Sequence, residues 1–448
     1  MMDNTGSMQW DSKMPSMQTA ARNLLSILYG TRDTIDRFNV GIVPFITMVR
    51  PGNQYASWTN TPASVVRNVA SGGMTRVSGS ATVTVNTTVA HGFRTGDIIT
   101  IAGATGTNAS PYNGPKYIYA DPSVNTRFTY RIAYSSSSVP TLTPGGTITA
   151  TRAMTYPGSS GWSGYPGAGG WGGCVMARTD PYEEEQADAT PTTRPFDRYF
   201  WQSTYDSVRG QSMTFADRNH ATVSSNDWPF RRNDWRSGSL SESSNRSPNA
   251  GCQLPAVLPL QPSRAAAEAV INAMSPIAYG GTHFNLGMAW GWRVLSPNYR
   301  GLWGSPSVST LPGNYETALR DKVVVILTDG QNEWISETWD DNDYNSDDRI
   351  YSDYSGYTRL EAGLLGVTTE AGAVTVMNDR FTRLCNAMKA QGIIVYTILL
   401  GTSSPATAPV FQACASQPEY YFFAPSSNDL NGIFTQIGNQ LRRLRISR

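Results

Sequence analysis

Asp3, Thr5 and Ser7 fall in a D-x-T-x-S spacing just ahead of the first amphipathic stretch. Thr282 follows the pair Gly280-Gly281, and Asp329 follows the apolar run 322–327 (KVVVIL) within Thr328-Asp329-Gly330. These residues offer two carboxylates and three hydroxyls. Such an all-oxygen set suits a hard cation, Mg²⁺ first, with Mn²⁺ or Ca²⁺ able to use the same donors. Neutral hydroxyls do not cancel the ion's charge. The ion would therefore keep its Lewis acidity and accept one more carboxylate from a partner. No general base or oxyanion hole accompanies the set, so the chemistry is binding and the chain is read as no enzyme. A metal-dependent hydrolase using Asp3 and Asp329 is the disfavoured alternative, because a second metal's carboxylates and a nearby base are missing. The plainer account makes Asp3 and Ser7 helix caps and Asp329-Gly330 a turn.

Such a set must be positioned by the carboxyl ends of strands in an open α/β sheet. The apolar spacing predicts a helix over Lys13–Tyr29, with Met14, Met17, Ala21, Leu24, Leu25 and Leu28 on one face. Residues 38–49 (FNVGIVPFITMV) read as a strand, bent or at an edge because of Pro44. Further helices are expected over 264–274, behind Ser263 as N-cap, and over 285–295, 374–390 and 429–441. Apolar strands are expected at 322–327, 392–400 and 420–423. Strands apolar on both faces and alternating with helices imply a doubly wound, mostly parallel sheet.

Two stretches interrupt it. Residues 76–152 alternate Val, Ile and Thr with polar residues between turn signals, as in a small all-β module. Residues 153–262 are rich in Gly, Ser, Trp, Asn and Asp, and read as a loop-rich excursion. The expected parts are thus 1–50 and 263–448 for the α/β domain, with insertions at 76–152 and 153–262.

Over 448 residues the net charge is +1, which argues against nucleic-acid binding driven by bulk charge. The longest apolar runs, 323–327 and 393–400, fall far short of the ~20 residues that span a bilayer. Met1-Met2-Asp3-Asn4 has neither the basic start nor the apolar run of a signal peptide. Three histidines and four lysines leave few candidates for His- or Lys-based catalysis. The four cysteines contain no C-x-x-C pair. Of their three pairings, the spacing favours Cys174–Cys252 and Cys385–Cys414, each within one region; four buried free thiols are the alternative. Disulfides would place the chain in an oxidising compartment.

The set Asp3, Thr5, Ser7, Thr282 and Asp329 resembles the metal-ion-dependent adhesion site (MIDAS) of von Willebrand factor A domains. The stretches GGTHFNLGMAWGWRVLSP (280–297), LTDGQNEW (327–334), LCNAMKAQGIIVYTILLG (384–401) and the final ACASQPEYYFFAPSSNDLNGIFTQIGNQLRRLRIS resemble the TadG-like proteins of Tad (Flp) pilus assembly. The resemblance covers 1–50 and about 252–448. It implies a Rossmann-like fold and a periplasmic or surface-exposed place in the cell envelope. It also implies an inner-membrane anchor in the full-length chain and a pilus or envelope protein, presenting an acidic side chain, as partner. The paired cysteines also fit. An adhesin acting through the β insertion, independent of pilus assembly, is the alternative. AHGFRTGDIITIAGA, YNG and FTYRI resemble the small FCCH-like β domain. The family's strand leading into the first Asp is reduced here to Met1-Met2, which reads as a truncated or misassigned start and predicts a poorly held metal loop.

Other motifs have two readings. Residues 340–348 (DDNDYNSDD) match the D-x-D-x-N start of a calcium loop but lack its glycine and final glutamate; a solvated acidic loop is the alternative. His283 either lines the metal cleft or packs. Trp290 and Trp292 read as core or interface. Trp162, Trp171, Trp201, Trp228 and Trp235 either form a sugar- or protein-binding face or anchor a loop region without its own core.

Overall fold

The apolar runs that end at the candidate residues become the strands of one sheet. A computed structural model describes residues 1–35, 38–59, 65–76, 82–93, 98–106, 109–121, 123–132, 145–152, 171–178, 189–199, 205–206, 211–212, 251–277, 281–305, 307–315, 321–334, 336–337, 351–352, 355–357, 360, 364–367, 369–401 and 407–446. The strands are β1 (Met2–Asp3), β2 (Pro44–Phe45), β3 (Val323–Thr328), β4 (Ile394–Leu400) and β5 (Tyr421–Ala424). Their order is β5-β4-β3-β1-β2, and every neighbouring pair is parallel.

The helices are α1 (Lys13–Tyr29), α2 (Arg264–Ala273), α3 (Phe284–Leu295), α4 (Glu370–Ala390), α5 (Ala408–Cys414) and α6 (Leu430–Ile446). Strand alternation divides the core between them. Val324, Ile326, Val395 and Leu399 pack with α3, α4 and α5. Leu327, Tyr396, Ile398 and Leu400 pack with α1, α2 and α6 on the opposite face. Burial on both faces is why β3 and β4 read as unbroken apolar runs. The chain is therefore α/β with a parallel sheet covered by helices on each side. Among the described residues no helix is long and apolar enough to cross a membrane.

Several boundaries differ from the sequence reading. The single strand expected at 38–49 is divided at Val43: Val40–Ile42 pairs antiparallel with Leu258–Gln261, and β2 joins the main sheet. Pro44, which has no N–H, is tolerated at the first position of β2. Helix α4 starts at Glu370, because the Thr369 side chain caps it by accepting from the Gly372 N–H. The largest correction concerns the entry to the site. Met2 and Asp3 lie hydrogen-bonded between β3 and β2. Met2 N donates to Val43 O (2.9 Å), Asn4 N to Phe45 O (2.9 Å), and Leu327 N to Met1 O (3.2 Å). Thr5 then bridges to Ile277, whose N–H donates to Asn4 O (2.9 Å). The loop after β1 is held on both sides rather than loose.

The β-rich insertion is a closed antiparallel barrel of Val65–Arg76, Thr82–Thr87, Arg127–Arg131, Gly114–Ala120, Ile98–Ala102 and Thr149–Arg152 in spatial order. It begins at Val65 rather than at residue 76. The first strand loses its alternation at Ala70-Ser71-Gly72-Gly73, where the register shifts and Gly72 takes φ 65°. His91 is structural: its Nδ1 accepts from Phe93 N (2.9 Å) and its Nε2 faces Arg127 O at 3.1 Å.

Some described parts of the excursion join the main core. Trp171, Val175 and Phe196 pack in the cluster that holds α3, beside Trp290 and Trp292. The Trp171 indole N–H donates to Cys174 O (2.6 Å). Cys174 is bonded to Cys252, and Cys385 to Cys414, so α4 and α5 are tied together. Trp162, Trp201, Trp228, Trp235 and the acidic stretch 340–348 lie outside the described residues.

Candidate functional site

The end of β1 and the end of β3 lie side by side, because Met2 is in register with Leu327. Each strand therefore delivers its aspartate to the same edge. Asp3 is fully buried. Its Oδ1 accepts from Thr5 N (2.8 Å), which turns the loop back on itself, and its Oδ2 accepts from Thr328 Oγ1 (2.6 Å). The Thr5 and Ser7 hydroxyls are 3.1 Å apart. Ser7 Oγ then donates to Asp329 Oδ1 (2.6 Å). Asp3, Thr5, Ser7 and Asp329 thus form one continuous polar path.

Thr282 is held in a separate short strand pair. Gly281–Thr282 pairs antiparallel with Glu333–Trp334, with Thr282 opposite Glu333, four residues beyond Asp329. The same loop holds the start of α3, since Phe284 N donates to Asn332 Oδ1 (3.0 Å). Among the described residues the Thr282 hydroxyl bonds to none of the other four; Gly280 lies outside them. Four of the five expected residues are joined directly, and the fifth is paired with Glu333 on the segment that follows Asp329.

The electrostatics fit a cation. Burial, and then the charge of Asp329, push the Asp3 carboxyl up to about 7 despite the hydrogen bonds from Thr328 and Thr5. Two carboxylates close enough to oppose each other's ionisation, with hydroxyls between them, gain from a positive ion. The donor set therefore suits a divalent cation on its chemistry, and Asp3, Thr5, Ser7, Thr282 and Asp329 are the residues that would hold it.

One cation is already present. Lys13 Nζ lies 2.8 Å from Asp329 Oδ2. Two successive left-handed residues, Asp11 (φ 50°) and Ser12 (φ 55°), turn the chain into α1 so that its first residue faces the site. Such conformations in non-glycine residues cost energy and need support from their surroundings. Part of that support is Ser427 Oγ, which donates to Asp11 O (2.8 Å). Sequence reasoning missed Lys13; its place at the start of the helix behind D-x-T-x-S was the available signal. Thr328 and Asn332 were also missed, although both flank Asp329 in LTDGQN.

His283 does not line the cleft. It is fully buried, with ring centroids 5.1 Å from Trp334 and 5.7 Å from Tyr357. Neither ring nitrogen meets a hydrogen-bond partner among the described residues. Burial holds the imidazole down at about 3. The unfolded chain binds a proton at the ordinary value of about 6.5, so His283 contributes stability that is full above that pH and lost on acidification. Asp3 acts in the opposite sense, because its raised value favours the folded state as pH falls from about 7. The His283 effect is therefore isolated by difference. Wild type minus His283→Phe, measured by urea unfolding, is expected to shift by about 2–3 kcal/mol against wild type between pH 7 and 4.5. A pH-independent difference would mean that His283 is solvated.

No family model matches the chain, and no curated protein matches it. Solved structures do. Proximal thread matrix protein 1 from the mussel byssus is 18% identical over 40% of this chain and 30% of its own, with TM-score 0.23, in a form described as having a zinc-occupied MIDAS motif. The pilus adhesin SpaC from Lactobacillus rhamnosus GG is 16% identical over 41% of this chain and 22% of its own, with TM-score 0.26. The vWF domain of the type V pili tip protein Mfa5 from Porphyromonas gingivalis is 12% identical over 41% of this chain and 75% of its own, with TM-score 0.24. The chain spans less than a third of the length of the first two proteins.

Proposed function

We propose that this chain is a von Willebrand factor A-type binding module whose site at the carboxyl edge holds a divalent cation. Mg²⁺ is the first choice, held by Asp3, Thr5, Ser7, Thr282 and Asp329. The carrying observation is the path from Asp3 through Thr5 and Ser7 to Asp329, which joins two strand ends 322 residues apart between Ser7 and Asp329. When bound, the ion supplies a Lewis-acidic coordination position for a carboxylate. The protein's residues do the rest. Thr328 fixes the Asp3 carboxyl, the β1 loop aims the hydroxyls, and pairing with Glu333 fixes Thr282.

The ligand class is an acidic side chain on a protein partner. Binding is preferred to hydrolysis because the neutral hydroxyls leave the ion's charge uncancelled and open to a partner's carboxylate. The two disulfides support an oxidising compartment, and with it a role in the cell envelope. Within that setting the reading is pilus assembly of the Tad type or adhesion. The α/β module spans 1–50 and 263–448, with the barrel and the excursion as insertions.

The test is water-proton relaxation of the Mn²⁺-loaded protein. A capped Gly-Asp-Gly peptide is expected to lower the relaxation enhancement by replacing metal-bound water. The Gly-Asn-Gly peptide should leave it unchanged. Equal responses to both peptides, or no enhancement on adding Mn²⁺, would overturn the reading.

A further inference from the structure

We infer that Lys13 is a built-in counter-cation that the divalent ion must displace from Asp329, so that this lysine sets how tightly the ion is held. The inference rests on the reading of the site as a divalent-cation site. Its own support is geometric. Asp329 has a fully buried side chain and both carboxylate oxygens in use, Oδ1 by Ser7 at 2.6 Å and Oδ2 by Lys13 at 2.8 Å. A metal drawing on the Oδ2 lone pairs meets an ammonium already seated there. Even an ammonium shifted aside would repel the ion at close range.

The position of Lys13 has no explanation in the helix itself. It is the first residue of α1, whose first turn contains no acidic side chain. A cation at a helix N-terminus has the wrong sign for the helix dipole. The Asp329 carboxylate offsets this. The lysine also has room to leave. Its side chain is 16% exposed, so the ammonium is not sealed from solvent. Its flexible stem allows the ammonium to move into water while Asp329 stays in place. The site thus switches between an internal monovalent cation and an external divalent one, with Asp329 common to both states.

Calorimetric Mg²⁺ titration of wild type, Lys13→Gln and Lys13→Arg tests this. Lys13→Gln is expected to bind Mg²⁺ about tenfold more tightly or better, and Lys13→Arg, which keeps the charge, no more tightly than wild type. A second readout needs no substitution. The chain has four lysines, so ¹⁵N-lysine labelling resolves each ammonium. The Lys13 ¹⁵Nζ signal is expected to move to a solvent-exposed position at saturating Mg²⁺. Folded Lys13→Gln binding no more tightly than wild type, or an unmoved Lys13 signal in Mg²⁺-saturated wild type, overturns this inference alone. Folded wild type and Lys13→Gln both failing to bind Mg²⁺ overturns the metal reading, and this inference with it.

Discussion

Asp329→Ala is expected to lower Mg²⁺ affinity by more than about 100-fold, since losing even a group that only supports a metal ligand costs about 10–100-fold. The substitution removes one of two carboxylates and leaves Ser7 without the acceptor that aims its hydroxyl. It also leaves the Lys13 ammonium unpaired beside the empty position. The remaining donors are Asp3 and neutral hydroxyls, too little negative charge to offset the desolvation of a divalent ion. The fold should survive. Lys13 can turn to solvent, so the stability loss stays below the about 3–5 kcal/mol of breaking a fully buried pair. Calorimetry with circular dichroism separates the two effects. A folded Asp329→Ala protein with wild-type affinity would remove Asp329 from the site.

Gly281→Ala is the second large effect. Gly281 has φ +99°, and a Cβ there would lie 2.2 Å from Glu333 O and 2.7 Å from its carbonyl carbon. Both atoms are backbone in the strand paired with Gly281–Thr282, so neither can rotate away. The backbone conformation alone costs about 1–3 kcal/mol in a non-glycine residue. Relief of the clash must part Thr282 from Glu333 and pull the threonine out of line. Lower stability in urea and weaker Mg²⁺ binding are expected together. Gly330→Ala is the control: an added Cβ there meets nothing within 4 Å, so stability should hardly change. Equal tolerance of both substitutions would show that the Gly281–Thr282 strand does not fix the site.

The α/β class was legible because β3 and β4 are apolar on both faces and α1 and α6 carry one apolar stripe each. The residues of the polar path were legible for a related reason. Strand ends are where short Asp, Thr and Ser side chains accumulate, and two such ends adjoin in a parallel sheet. The missing information was of two kinds. Pairing partners are non-local, so the sequence did not reveal that Val43 and Leu327 hold the chain on either side of Met2. Nor did it reveal that Val40–Ile42 turns away to meet Leu258–Gln261. The other kind was backbone conformation. Asp11 and Ser12 look like ordinary loop residues, yet their left-handed turn is what brings Lys13 onto Asp329. His283 was ambiguous because it adjoins Thr282, a candidate site residue, while its own ring meets Trp334 and Tyr357, distant in sequence.

If the ends of β1 and β3 build one divalent-cation site, anomalous diffraction from crystals grown with Mn²⁺ will locate the ion there. An anomalous peak is expected, bounded by Asp3, Thr5, Ser7 and Asp329, with oxygens at about 2.0–2.4 Å and with Lys13 withdrawn from Asp329. Mn²⁺ bound elsewhere on the chain, with no peak here and Lys13 still paired to Asp329, would contradict it.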